Sequence, residues 1–222
     1  MDVVNRAELE QRLARVIGRD QRVALNELLG FLGDPPAIEN VPLSYWDTGW
    51  RAIQKDVEPA LLDTYLQQAE GLMAEINIGI EWDQLNLTAS NWAATYSEQL
   101  LKQMFNRTYE GVSQVVPRFY TEGWNINQLT GELERWYSPV RAEMIAVTET
   151  TRAATEGERA VAEQLNRESG IELVPVWLTV NDELVCPICG ARNEKQIVDG
   201  KFPPAHPRCR CTVAWKLPEV KK

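Results

Sequence analysis

The sequence predicts an α+β protein, mainly α-helical, with a small β-containing Cys/His module at its C-terminal end. Three observations carry that prediction. Apolar residues recur at helical spacing, between Pro and Gly stops, over about the first 170 residues. A β-branched and aromatic run, Glu172–Val180, follows Gly170. All four cysteines and the single histidine then fall between positions 186 and 211.

Residues 7–32 read as an amphipathic helix, with Leu9, Leu13, Val16, Val23, Leu28 and Phe31 near one face. Gly33-Asp34-Pro35-Pro36 stops it, because proline lacks the amide proton and clashes with the preceding turn. Residues 34–43 read as a linker that separates an N-terminal piece, 1–33, from a helical body, 44–170. A second helical stretch runs from about Ser44 to Ile76, with a kink or break expected at Pro59. Low periodicity and Gly79 predict a loop over 77–89. A helix over Ser90–Gly111 and another over Val112–Tyr120 follow, the second kinked at Pro117 and ended by Gly123. Asn125 to Asn127 can cap a short helix through Leu129, Leu133 and Trp136. Ser138-Pro139 resembles an N-cap with proline at the first helical position, and that helix ends at Ser169-Gly170. The remainder, 171–222, forms the module, with strand-like pieces at 172–180, 183–185 and 212–215.

The chain has 222 residues and a formal net charge of −9, with 44% apolar residues, so it can bury a core and is not a disordered chain. No apolar run approaches the roughly 20 residues of a membrane span. The start, Met1 to Arg6, lacks the basic-then-apolar order of a secretory signal. The acidic balance argues against a general attraction to nucleic acid. One histidine excludes a multi-histidine metal site, and it leaves His206 as the sole base available to a Ser-His-Asp triad.

The sharpest pattern is Cys186-Pro-Ile-Cys189, then His206-Pro-Arg-Cys209-Arg-Cys211. Cys186/Cys189 and His206/Cys209 share one spacing, with two residues between the members of each pair. Two tight turns of that kind aim four side chains at one ion, and zinc suits a Cys-rich set with one imidazole. Cys211 is a fifth candidate that could replace His206 or Cys209, or remain a free thiol. Disulfides, a reduced metal-free turn and a redox-active Cys-x-x-Cys are the alternatives, although no βαβ pattern supports the last. A catalytic zinc needs an open position and a nearby base, and nothing assigns Glu194 or Asp199 that role. No catalytic residue is assigned.

Several stretches carry a resemblance. Trp177-Leu-Thr-Val-Asn-Asp182, Val185-Cys-Pro-Ile-Cys189 and Phe202-Pro-Pro-Ala-His-Pro-Arg-Cys-Arg-Cys211 are similar to the C-terminal signature of the Mu F-like phage head morphogenesis (minor head) proteins. Upstream, Arg141-Ala-Glu-Met-Ile-Ala-Val-Thr-Glu-Thr150, continuing to Arg152-Ala153, resembles the family's Arg-Ala-x-x-Ile-Ala-x-Thr-Glu helix. Val147 stands where the family often has arginine. The resemblance covers roughly residues 90–215. It implies a minor component of the phage head, made in the host cytoplasm, associated with portal or capsid protein and acting in assembly or genome delivery. Some members carry toxin domains after the signature, and none is expected in this sequence.

The Thr-Glu helix also has a reading of its own. Glu149 and Arg152 are helix-surface neighbours, and Arg141 lies about two turns earlier. With Thr148 beside them, they form a candidate structural or interaction site, either a polar ladder that docks the helix on the β module or a solvated face. The eight tryptophans read as core, with Trp46 and Trp50 the candidates for an exposed partner surface. Two further functions compete with the structural one. From His206 to Lys222, five basic residues (Arg208, Arg210, Lys216, Lys221, Lys222) face one acidic residue, Glu219, a basic end that could meet packaged DNA or an acidic partner. A zinc hydrolase is the other alternative, without a visible general base.

Overall fold

A computed structural model describes residues 3, 5–77, 79–180 and 185–217. In chain order the elements are α1 (Arg6–Leu32), α2 (Leu43–Thr48), α3 (Trp50–Ile76), α4 (Trp82–Thr121), α5 (Ile126–Glu134), α6 (Pro139–Ser169), β1 (Val174–Leu178), α7 (Pro187–Gly190) and β2 (Thr212–Lys216). The strands β1 and β2 pair antiparallel, with Val176 opposite Ala214. The expected class is therefore the observed one, with a largely helical body and a two-stranded sheet beside the Cys/His cluster. Of the strand expected at 183–185, residues 183 and 184 lie outside the described residues, and Val185 is not in a strand. Lys221, Lys222 and Glu219 also lie outside them.

The helix ends follow their local chemistry. Gly123 is left-handed (φ 65°), and the Trp124 amide donates to the Phe119 carbonyl, closing the last turn of α4. The Asn125 side chain and Gln128 cap each other reciprocally at the start of α5. The Arg141 amide donates to the Ser138 hydroxyl, and Pro139 occupies the first turn of α6.

Three expectations need correction. The break in the second helical stretch falls at Gly49, and α3 runs through Pro59. Glycine is the poorest ordinary helix former, whereas one missing donor inside a helix packed against both α4 and α6 is offset by burial. The loop over 77–89 shrinks, because α4 already begins at Trp82. Finally, α4 continues through Gly111 and Pro117 as one 40-residue helix. Gly111 is a packing notch: a Cβ there would lie 2.1 Å from Cε2 of Trp136, so the bare backbone lets the indole lie on α4.

The core also revises the apolar face of α1. Leu9, Leu13, Ile17, Leu25, Leu28 and Leu32 are buried, whereas Val23 and Phe31 are exposed. Leu13 and Ile17 share one cluster with Ile53, Leu101 and Ala146, so α1 joins α3, α4 and α6 in a common core. Trp46 and Trp50 are both buried and offer no exposed partner surface.

Helix α6 lies at the centre, against α1, α3, α4 and β2. Its buried face is small, with Ala142, Ala146, Ala153 and Gly157. A Cβ on Gly157 would lie 2.2 Å from the Tyr65 carbonyl oxygen, so α3 and α6 meet backbone to backbone. Gly157→Ala should therefore lower stability by roughly 1–3 kcal/mol, despite alanine's better helix propensity. Denaturant unfolding checks this, and a variant as stable as the parent would show that the helices are free to separate.

One turn of α6 carries Glu158, 2% exposed. It accepts from Gln68 Nε2 of α3 (2.6 Å) and from Trp215 Nε1 of β2 (3.1 Å). Burial raises its pKa to about 7, against those two hydrogen bonds. A carboxyl whose folded pKa lies above its unfolded value favours folding when protonated. Its contribution is complete below about pH 4.5 and is lost as pH rises through about 7. The amount at stake is roughly 3 kcal/mol. Glu158→Gln should flatten the fall in stability between about pH 5 and 8. Parallel pH–stability curves for parent and variant would contradict this.

Candidate metal and docking site

The first turn of the site is built by Cys186-Pro187-Ile188-Cys189. Cys186 is the N-cap of α7, and its Sγ accepts from the Cys189 amide at 3.4 Å. Pro187 at the first helical position fixes the turn, so both sulfurs face the same side. That amide also lowers the Cys186 thiol pKa. The second turn runs from His206 to Cys211. The Cys209 amide donates to the His206 carbonyl, and Arg208 takes a left-handed conformation (φ 60°).

The two turns converge. His206 Nε2 lies 3.1 Å from Cys186 Sγ and 3.2 Å from Cys189 Sγ, and Cys189 Sγ lies 3.8 Å from Cys209 Sγ. Two overlapping triads result, Cys186/Cys189/His206 and Cys189/Cys209/Cys211, with Cys189 common to both. All four cysteines are free thiols. His206 Nδ1 lies 2.7 Å from the Pro207 carbonyl, which fixes the proton on Nδ1 and leaves Nε2 as a lone pair facing the sulfurs. Contact with the Cys211 thiol holds Cys209 down, to about 5, while burial lifts Cys189 to about 12.

This donor set fits a metal ion. A tetrahedral site with thiolate bonds of about 2.3 Å has sulfur–sulfur edges of about 3.8 Å, the separation of Cys189 and Cys209. The nitrogen–sulfur separations lie somewhat inside the corresponding edge of about 3.5 Å. Trp177, 1% exposed, packs in the same cluster with Cys189, Cys209 and Cys211, and its indole N–H has no acceptor among the described residues. All five residues singled out by spacing are thus brought together and could hold a metal ion.

The module is anchored to the helices through its second turn. Thr148 Oγ1 of α6 accepts from the Arg208 amide at 2.9 Å, and the buried Thr151 hydroxyl donates to the Cys209 carbonyl at 2.7 Å. Arg6 of α1 donates to Thr151 Oγ1 (3.1 Å) and to the Arg210 carbonyl (3.2 Å), and Arg210 in turn pairs with Glu10 (3.1 Å). Thr151, Arg6 and Glu10 had no distinguishing signal in the sequence. A buried threonine on a helix becomes informative only once its carbonyl partner is known.

Arg141, Glu149 and Arg152, read either as a ladder docked on the β module or as a solvated face, make their contacts with α4 and with one another. Arg141 turns towards α4: Nη1 donates to Thr108 Oγ1 (2.9 Å) and to the Trp136 carbonyl, and Nη2 donates to the Met104 carbonyl (3.3 Å). Arg152 Nε donates to Glu149 at 3.1 Å, and the Tyr96 hydroxyl of α4 donates to the same carboxylate at 2.7 Å. Burial raises the Glu149 pKa, opposed by Arg152 and Tyr96. Of the four residues, only Thr148 makes a hydrogen bond to the module. The basic end is also partly neutralised, since Arg208 lies 3.7 Å from Glu143 and Arg210 meets Glu10.

No described helix is long and apolar enough to cross a membrane. Residues 110–214 match the family model described as phage Mu protein F like protein, a phage head morphogenesis family. The matched segment runs from the last third of α4 through β2, and so includes α6 and every residue of the Cys/His cluster. No curated protein and no solved structure matches the chain.

Proposed function

We propose, from the Mu F-like domain over 110–214, that this protein is a minor structural component of a phage head. In this reading it acts in head morphogenesis, made in the host cytoplasm and associated with the portal or capsid, with a part in genome delivery. The observation that carries the reading is the coincidence of the matched segment with the structural unit formed by α6 and the cluster. Zinc is the metal this donor set suits, held by four of the five residues Cys186, Cys189, His206, Cys209 and Cys211, which form two overlapping triads around Cys189. Bound there, zinc would lock two turns together. The role is structural: the cluster supports the part of the chain that carries β2, and α1 and α6 grip it from outside.

Two experiments test this. Protein purified without chelator should contain about one zinc per chain. Chelation, or Cys186→Ser, should lower the melting temperature sharply, by several kcal/mol of stability out of the roughly 10 that a structural zinc can supply. Metal-free protein with an unchanged melting curve would remove the zinc. Separately, a tagged chain expressed during phage growth should co-sediment with procapsids, together with portal or capsid protein. Purified particles that never contain it would contradict the assembly role.

A further inference from the structure

A second concave surface adjoins the cluster and shares His206 with it, between α4, the first half of α6 and the His206–Pro207 turn. It is a groove of about 710 Å³. Four arginines line it, Arg107, Arg135, Arg141 and Arg152, against one acid, Glu149. That balance opposes the chain as a whole, whose net charge is −9. Two of the four charges are answered: Arg135 pairs with Glu132 at 2.9 Å, and Arg152 Nε pairs with Glu149, which Tyr96 also engages. Among the described residues the two terminal nitrogens of Arg152 make no hydrogen bond. Arg141 is largely buried and bonds only to neutral oxygens, those of Thr108, Met104 and Trp136. No described residue gives Arg107 or Arg141 a carboxylate partner. Burial, with Arg107 nearby, lowers the Arg141 pKa, as expected of cations held together without a counter-anion. The lining also has an apolar floor of Leu100, Met104, Met144 and Ile145 with the ring of Trp136, beside the polar side chains of Gln103, Ser138, Thr148 and His206.

We propose that this groove docks an acidic segment of a partner protein, its carboxylates on Arg107, Arg141 and Arg152 and an apolar side chain on the Met104–Met144 floor. Charge complementarity selects the occupant. Planar guanidinium forks match carboxylates, and a cation buried among neutral acceptors gains most from an arriving anion. The methionines give an adaptable apolar contact. A nucleic-acid duplex is disfavoured, because its phosphates would also meet the acidic remainder of the chain and it has no use for the apolar floor. This deepens the assembly reading and rests on it for the partner being a head protein. It does not rest on it for the chemistry of the groove.

The probe is a yeast-displayed library of random peptides about twelve residues long, selected on the full chain. Enriched peptides should be net acidic with one or more large apolar residues. Their affinity should fall at least about tenfold for the exposed-site variant Arg107→Glu, and should weaken with added salt. Arg152→Gln should give a smaller loss of binding together with some loss of stability, because it also removes the ion-pair partner of buried Glu149, whereas Arg107→Glu should keep the parent's melting curve and zinc content. Enrichment of neutral or basic peptides, no enrichment, or unchanged binding to Arg107→Glu would overturn the proposal. So would an oligothymidine that binds the parent and not Arg107→Glu, or a dimer of this chain that Arg107→Glu dissolves, since either would put a different occupant in the groove. Particle incorporation of Arg107→Glu separates the two readings. Failed peptide selection with normal incorporation sinks the groove alone, and absence of the parent from particles sinks the assembly role alone.

Discussion

Helix α6 is enclosed by α1, α3, α4 and β2, and everything beyond the helical core is fixed by how closely those neighbours approach it. Close approach needs small side chains, which Ala142, Ala146, Ala153 and Gly157 supply. It also favours a partner for each polar group trapped on the helix, since an unmet buried donor or acceptor costs about 1–3 kcal/mol, and the buried Thr150 hydroxyl is left without one among the described residues. Thr151, Glu149 and Glu158 find theirs by reaching outwards, to the Cys209 carbonyl, to Tyr96 and Arg152, and to Gln68 and Trp215. The polar residues of α6 are therefore the joints between layers. Their spacing along one helix sets where the Cys/His module, α4 and the sheet can sit.

That arrangement explains why a two-stranded sheet persists here. An isolated pair of five-residue strands is marginal in water. In this fold β2 is tied to Glu158 through Trp215, while the cysteine turn just before it is held by Thr148 and Thr151. A metal at the cluster would close the remaining link between the turn at Cys186 and the turn at His206. Metal, helix and strand would then act on the same short stretch of backbone, with helix-to-backbone hydrogen bonds present whether or not the ion is bound. Positive φ at Arg208 belongs to this stretch, held by the hydrogen bond from its amide to Thr148.

The sequence was most readable where the chemistry is local. The Asn125 and Ser138 caps, the Gly123 and Gly170 ends, and the tight turn within Cys186–Cys189 all follow from residues within a few positions of one another. It was least readable where a distant partner decides. Gly111 looked like a helix end because its reason, Trp136, lies 25 residues away in sequence and comes into contact only in the fold. Pro59 looked like a break because the burial that carries α3 past it comes from α4 and α6. The apolar face of α1 was misplaced by including Val23 and Phe31, whose hydrophobicity is real but which are exposed in the fold, while Val16 packs against the core.

The same distinction sorts the charged residues of the Thr-Glu helix. Read along the helix, Arg141, Glu149 and Arg152 form one row, and a single role for the row is the economical expectation. In three dimensions the row is divided by what lies opposite. Glu149 faces a hydroxyl and a cation and is satisfied, and Arg152 is satisfied on one edge only. Arg141 faces carbonyls, which accept its protons without balancing its charge. Hydrogen bonding and charge neutralisation are separate requirements in a partly buried site, and α6 meets the first for all three side chains but the second for only one pair. The charge left over on Arg141 is oriented towards the groove, while α6 holds the module through the hydroxyls of Thr148 and Thr151, the carboxylate of Glu158 on Trp215 and the ion pair of Glu143 with Arg208. One helix thus meets the module with groups that are answered within the chain, and keeps an unbalanced cation where a partner can still be accepted.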